Sequence, residues 1–277
     1  MEDKQTRLVR KLYESVPGRM LLKLLVRPWV SKLAGAYMDS FLSKSLISSF
    51  VESNGINLSD YEDQRYSSFN DFFTRKIKAE NRPISMNPED LVSPCDGMLS
   101  VHRISAESTF DIKGNICTMH ELVRDKVLAD KYDGGLLLKF RLTVSDYHRY
   151  HYPDSGVKSG NTRIGGVLHT VHPIAAEHRK IYCENAREYF TIRSDSFGDM
   201  LYMQVGALLV GRICNNHEEA AVTRGQEAGC FEYGGSTVIV CLTENQAEIF
   251  PEYLNGNADG EVRVKMGETI GRALKRQ

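Results

Sequence analysis

The chain has 277 residues, of which 42% are hydrophobic and 26% are charged, and its formal net charge at pH 7 is −1. This composition is typical of a globular protein with one or two domains and excludes a disordered chain. Because the charge is nearly balanced, nothing global indicates binding to DNA or RNA, and we expect no nucleic-acid partner.

The N-terminal part has apolar residues at helical spacing over residues 5–55, which predicts an α-helical extension. Residues 1–35 hold eight basic and three acidic residues around the apolar run MLLKLLVRPWV. Such a basic amphipathic segment is typical of helices at the surface of anionic membranes. The same pattern fits a helical hairpin packed on the protein's own core. Both interpretations can hold, with one face of the helices on the core and another on the membrane. Lys23, Arg27 and Pro28 interrupt the run, which is too short to span a bilayer.

The next stretch, residues 67–85, predicts a short aromatic helical turn capped by Ser68 or Asn70, followed by a connector. From about residue 90, short β-branched and apolar runs alternate with Gly, Asp and Asn, which predicts an antiparallel sandwich or barrel. The expected fold class is α+β, with a predominantly antiparallel β-rich core and an α-helical N-terminal extension. The predicted domains are a membrane-associating helical region, residues 1–64, and a β-rich domain, residues 65–277. The predicted strands have the sequences GMLSVHRI, GLLLKFRLT, GGVLHTV, EYFTIRS, MLYMQVGALLVGRI, STVIVCL and EVRVKMGETIG.

The cysteines and histidines give no metal-site signature. His148 and His151 could form a metal pair on a helix, but Pro153 and the aromatic surroundings favour a strand end, where residues three apart face opposite ways. No further ligands stand at a suitable spacing, so we expect no metal. The six cysteines form no CxxC pair and no N-terminal signal segment precedes them, which indicates reduced thiols in a cytosolic protein. They are Cys95, Cys117, Cys183, Cys214, Cys230 and Cys241.

Three motifs in the β-rich part carry reactive groups: SPCDG with Asp96, SDYHRYHYP with His148 and His151, and GGST with Ser236. An acid, an imidazole and a hydroxyl are the components of an activated serine nucleophile. Ser236 does not lie in a GxSxG elbow, which argues against an α/β-hydrolase. Two glycines directly before it indicate a tight turn or a close approach of the backbone.

Several uncommon motifs occur together in a fixed order. The chain resembles the phosphatidylserine decarboxylase proenzyme family over roughly residues 65–245, and one difference is Gly234, where the common form of the motif has Leu. The motifs that carry the resemblance are FNDFFTRKIKAENRPI, SPCDG, IKGNICTMHELV, DYHRYHYPDSG, HTVHPIA, ENAREYF, QVGALLVGRI and GQEAGCFEYGGSTVIV.

The resemblance implies a self-cleaving enzyme. Such proteins cut themselves between Gly235 and Ser236, which here gives a β chain, residues 1–235, and an α chain, residues 236–277, held together as a heterodimer. Ser236 becomes a covalent pyruvoyl group, the electron sink for decarboxylation. By the same resemblance, His151 takes the proton from Ser236, Asp96 orients His151, and His148 supports decarboxylation.

The implied substrate is phosphatidylserine, which is converted to phosphatidylethanolamine and CO2. We expect a bacterial protein on the inner face of the cytoplasmic membrane, bound to anionic lipid through its N-terminus, while a homo-oligomer stays an open alternative. Two other functions also remain open. One is the same chemistry on another amino acid or serine lipid, and the other is a noncatalytic β scaffold that binds membranes.

Overall fold

The computed structural model describes residues 4–105, 109–112, 115–208, 212–234, 236–256 and 260–274. Four helices fill most of the first fifty-five residues, as the apolar spacing predicts. The first two helices meet in a tight corner that requires glycine at position 18. A Cβ atom on Gly18 would lie only 2.1 Å from the Lys11 carbonyl oxygen. The helices are α1 Lys4–Glu14, α2 Val16–Leu25, α3 Pro28–Asp39, α4 Leu46–Asn54, α5 Phe69–Phe73, α6 Met119–Val123, α7 Lys126–Asp130, α8 Pro173–His178, α9 Ile181–Glu184 and α10 Pro251–Leu254.

The β-rich part begins near residue 90, and its strands pair antiparallel throughout the named sheets. The strands are β1 Asp90–Val92, β2 Gly97–Arg103, β3 Thr109–Ile112, β4 Asn115–Thr118, β5 Leu136–Leu142, β6 Arg149–His151, β7 Gly156–Lys158, β8 Thr162–Ile164, β9 Arg187–Ser194, β10 Gly198–Val205, β11 Ile213–Asn215, β12 Ala220–Val222, β13 Glu227–Phe231, β14 Ser236–Leu242, β15 Ala247–Ile249, β16 Val262–Val264 and β17 Thr269–Ala273.

A nine-stranded sheet forms the centre, in the order β12-β7-β9-β10-β14-β5-β2-β16, with β8 added beside β9. Strand β14 lies in its middle, between β10 and β5, and all seven of its residues are buried. Because side chains alternate along a strand, β14 contributes to two cores. Val238 and Val240 face a three-stranded sheet, β11-β13-β6, whereas Ile239 and Cys241 face the helices.

The N-terminal helices pack on the core that Ile239 and Cys241 face. They contribute four buried side chains to it, those of Val9, Tyr13, Leu22 and Val26. Their opposite face stays exposed and apolar. Among the residues that the structure describes, no helix is both long and apolar enough to cross a membrane. The exposed apolar side chains of this face include Met20, Leu21, Leu24, Trp29, Leu33 and Phe41.

The predicted α+β class and antiparallel core are confirmed, and Ser68 is the N-cap of α5. The layers are one large sheet with two three-stranded sheets, β11-β13-β6 and β1-β17-β15, on one side and helices on the other. One predicted strand is wrong: in GGVLHTV only Val167 makes an isolated bridge, to Asn185, and the rest is irregular. The run MLYMQVGALLVGRI ends as a strand at Val205, and its residues 209–211 lie outside the described part of the chain.

Candidate active site

Ser236 opens strand β14, opposite Leu142 of β5, and is fully buried. Its Oγ has no hydrogen-bond partner among the described residues. Gly235, the predicted cleavage residue, lies outside them. Gly234 has a φ of 131°, a conformation that side chains with a Cβ rarely adopt, which gives a physical reason for glycine where the common motif has Leu. A buried, unpartnered hydroxyl is costly, and it stands where the sequence predicts the nucleophile.

The residues just before Ser236 are held by helix α5. The backbone N–H of Tyr233 donates to Asn70 Oδ1 at 2.9 Å, and the Tyr233 ring contacts Phe69 and Phe73 edge-on at 5.1 and 5.3 Å between centroids. The sequence predicts this aromatic turn and the connector after it, but not the contact of the turn with Tyr233. Its run of three phenylalanines was the available signal.

His148 joins this cluster. Its ring stacks on Phe73 with 3.9 Å between centroids, and it is completely buried. Neither ring nitrogen makes a hydrogen bond of good geometry within the described chain, although the backbone of Thr143 and Val144 lies close enough to raise the pKa of the imidazole in part. Burial, helped by the nearby charge of Arg75, lowers the pKa of His148 to about 3. The imidazole is therefore neutral at pH 7, beside the segment that leads to Ser236.

His151 is the last residue of β6, whereas His148 lies in the loop just before that strand. Its Nδ1 is 3.0 Å from the Gly225 carbonyl, so that nitrogen carries the proton, and Nε2 accepts from the Tyr147 hydroxyl at 3.4 Å. Burial lowers the pKa of His151, and the Gly225 hydrogen bond and the charge of Glu227 partly oppose this. An imidazole that is neutral at pH 7, with its Nε2 lone pair as acceptor, has the form that a general base needs.

Asp96 is near His151 but is not hydrogen-bonded to it. The backbone N–H of His151 donates to the Pro94 carbonyl at 2.8 Å, which brings the SPCDG motif to the histidine strand. The Asp96 carboxylate itself accepts from Arg82 Nε at 2.8 Å, from Arg82 Nη2 and from the Met266 N–H at 2.8 Å. In this uncut form Asp96 thus acts on His151 through its charge, which raises the pKa of the imidazole.

The Asp96–Arg82 pair predicts a large stability effect. Asp96→Asn leaves the Arg82 guanidinium, whose side chain is only 11% exposed, without its counter-charge, which we expect to cost about 3–5 kcal/mol. Urea unfolding in a Ser236→Ala background keeps the chain uncut and measures this. The matched control is Asp130→Asn, which breaks the exposed Lys126–Asp130 pair and should cost about 1 kcal/mol or less. Equal losses in the two variants would contradict the prediction.

Two further buried residues near the site were not predicted from the sequence. Arg75 packs between the rings of Tyr61 and Phe72, and its Nη2 donates to the Ser145 and Asp146 carbonyls of the loop before His148. Gln204 is buried opposite Val238 on the Ser236 face of β14, and its Nε2 has no partner among the described residues. Single positions such as these carry no spacing pattern that a sequence could reveal.

One group of possible metal ligands occurs among the described side chains, at Cys117, Glu121 and Cys183, whose ligand atoms lie within 4.8 Å of one another. Lys180 already binds the Glu121 carboxylate at 3.0 Å, and Arg187 donates to the Cys183 carbonyl. These cations disfavour a metal ion at the same place. None of these residues belongs to the Ser236 surroundings.

Comparison with known proteins identifies the family of the chain. A family model described as phosphatidylserine decarboxylase matches residues 69–272. Phosphatidylserine decarboxylase proenzyme 2 of Clostridium acetobutylicum is 40% identical, over 94% of this chain and 90% of the relative. The proenzyme of Clostridium beijerinckii is 38% identical with the same coverage. That of Ruminiclostridium cellulolyticum is 36% identical over 98% of this chain and 93% of the relative.

These similarities define the class of protein as an enzyme, a decarboxylase, which excludes the noncatalytic scaffold. The chain belongs to the phosphatidylserine decarboxylase family. Its relatives are bacterial and are named as proenzymes.

Proposed function

We propose that this protein cuts itself at Gly235–Ser236 and then decarboxylates phosphatidylserine to phosphatidylethanolamine with a pyruvoyl group made from Ser236. The observation that carries the proposal is the Ser236 hydroxyl, fully buried and without a hydrogen-bond partner in the described chain, directly after two glycines in the central strand. A buried polar group without a partner destabilises the fold, and a catalytic role is one reason for a protein to keep such a group.

Self-cleavage uses groups of the chain itself. His151 Nε2 takes the proton from Ser236, and Oγ attacks the carbonyl carbon of Gly235. The imidazolium then returns this proton to the Ser236 nitrogen as the peptide C–N bond breaks, so that an ester C–O bond replaces it. Loss of the Cα proton and of the ester oxygen then leaves dehydroalanine at 236 and a carboxylate on Gly235. Addition of water and loss of ammonia give the ketone. Once formed, the pyruvoyl group supplies an electron sink for decarboxylation.

The Ser236 surroundings fit such a group. Position 236 is enclosed by the sheet, and the rings of Phe73, Tyr233 and His148 form one cluster at the segment that precedes it. We assign His148, a fully buried and neutral imidazole in this cluster, to proton transfer during decarboxylation.

The lipid partner is supported by the N-terminal helices. Their exposed face combines Met20, Leu21, Leu24 and Trp29 with basic residues, the composition of a helix that lies at an anionic membrane surface. We propose peripheral binding to the inner face of the bacterial cytoplasmic membrane, with the two self-cleaved chains as a heterodimer.

The experiment is the intact mass of the denatured protein beside a Ser236→Ala variant. We expect a fragment spanning residues 236–277 that is lighter by one ammonia than the same peptide starting with serine, and we expect it to be absent from the variant. Folded wild-type protein that stays whole at 31.3 kDa would refute the self-cleavage. CO2 release from short-chain phosphatidylserine, compared with free serine, then tests the substrate.

A further inference from the structure

A cavity of about 660 Å3 lies between the first two helices and the β-rich part of the chain. Its walls come from α1, α2, the segment 167–169 and the region of α8 and α9, and none of its lining residues belongs to β5, β10 or β14. The Leu168 N–H donates to the Val26 carbonyl at 3.0 Å and fixes the end of α2 against the core. The cavity is therefore a feature of the docked helices, apart from the Ser236 surroundings.

Three cations line this cavity: Arg19, Lys23 and Arg179. Among the described residues, none of the three has a carboxylate within ion-pair distance, whereas neighbouring cations such as Arg10 and Lys180 are paired. Arg19 Nη1 donates to the Glu14 carbonyl at 2.7 Å, which fixes the guanidinium and leaves its other N–H groups for a ligand. The one carboxylate of the lining, Glu184, lies 3.7 Å from His169 Nε2. The cavity has an excess of positive charge that suits an anion.

The floor of the cavity is formed by buried polar side chains that carry no charge. Tyr13 and His169 are both buried there, and the Tyr13 hydroxyl lies 2.9 Å from His169 Nδ1. This pair adds polar atoms but no charge of its own near neutral pH, because burial and the charge of Arg179 lower the pKa of His169 to about 4.

The remaining wall is apolar and continues onto the outer face of α2. Leu22 and Val26 are buried, while Val16 and Met20 are 63% and 70% exposed. Inorganic phosphate would use only the cations, but a ligand with an anionic head and hydrocarbon chains would use both surfaces. We infer that this cavity binds the phosphate of a glycerophospholipid, with Arg19, Lys23 and Arg179 around the phosphate and the acyl chains along α2.

The test uses dihexanoyl phosphatidylglycerol as a monomer, titrated into the full-length protein by calorimetry. This probe has no amine and cannot react at position 236, so its binding is measured independently of self-cleavage and decarboxylation. We expect Arg19→Gln with Lys23→Gln, and separately Arg179→Gln, to weaken binding about fivefold for each cation removed.

The matched control removes the same charge from the same helical region. Lys11→Gln with Arg27→Gln changes two exposed cations that do not line the cavity, and its binding should stay within about twofold of wild type. An equal loss in this control would overturn the site in favour of general charge attraction. Dihexanoylglycerol lacks the phosphate. If it binds as tightly as the phospholipid, the phosphate site is wrong and the cavity is only an apolar groove. Inorganic phosphate binding as tightly would overturn the lipid assignment.

A last arm identifies which lipid uses the site. If Arg179→Gln raises the KM for dihexanoyl phosphatidylserine at unchanged kcat, the phosphate is that of the substrate. If it weakens phosphatidylglycerol binding but leaves KM unchanged, the site serves a second lipid. Both outcomes support the cavity. This arm needs the self-cleaved, active enzyme, whereas the binding arm also runs in Ser236→Ala protein and so tests the cavity even if the chain does not cut itself.

Discussion

His151→Gln leaves the chain uncut, or slows self-cleavage by about 10²–10⁴-fold, the usual contribution of a general base. Glutamine keeps a polar side chain that can bond to the Gly225 carbonyl and the Tyr147 hydroxyl, but it cannot take the Ser236 proton. The measurement is the fraction of cut chain over time after synthesis, read from intact masses. His120→Gln, at an exposed histidine away from the site, is the control and should cut at the wild-type rate.

The pH dependence of self-cleavage tests the same assignment. Burial places the pKa of His151 below its ordinary value of about 6.5, so the base is unprotonated at neutral pH. The rate should be flat from about pH 8 down to 6.5 and should fall only at lower pH, where the imidazole takes up a proton. Normal cutting by His151→Gln together with an uncut His148 variant would exchange the roles of the two histidines.

The helices and strands of this protein were largely readable because their signals are periodic. Successive apolar residues of STVIVCL face two different cores in turn. The apolar residues of the first helices are spaced so that they lie on one helix face, which packs on one core. The strand predicted for GGVLHTV does not form, because a side chain there makes the hydrogen bonds that a neighbouring strand would otherwise make. Asn185 binds both the N–H and the carbonyl of His169, at 2.9 and 2.8 Å, and also the Gly206 carbonyl. A strand pattern cannot show that a distant amide satisfies the backbone.

The reactive residues were readable only as motifs. Spacing alone could not tell that Asp96 pairs with Arg82, or that Asn70 and Phe73 hold the segment before Ser236. These contacts join parts of the chain far apart in sequence, and they depend on how β14, α5 and the histidine strand meet. The role of each motif residue in the chemistry stays a prediction that the variants test.

His148→Phe is expected to abolish decarboxylation while the folded chain becomes more stable. The variant keeps the stack on Phe73 and removes two buried nitrogens that make no hydrogen bond of good geometry in the described chain, only weak contacts with the backbone of Thr143 and Val144. Because His151 is intact, the chain should still cut itself. Loss of the proton-handling imidazole should lower CO2 release from short-chain phosphatidylserine at least about 100-fold.

The stability gain follows from the same burial. An unpartnered buried polar group costs about 1–3 kcal/mol, and phenylalanine removes that cost, so urea unfolding in the uncut Ser236→Ala background should show a gain of about 1 kcal/mol or more at pH 7.5. His148→Gln is the matched variant: it loses decarboxylation equally but brings its own buried polar group, so it should show no gain.

Lowering the pH should widen the gap between His148→Phe and wild type. The folded pKa of His148, about 3, lies below the unfolded value of about 6.5, so between these values the unfolded chain binds a proton that the folded chain does not. Wild type therefore loses about 1.4 kcal/mol for each pH unit below 6.5 through this group, and the Phe variant does not. A gap that stays constant from pH 7.5 to 5 would mean that His148 is solvated in the folded chain. An imidazole already in contact with water would lack the neutral, unsatisfied state from which it is proposed to act.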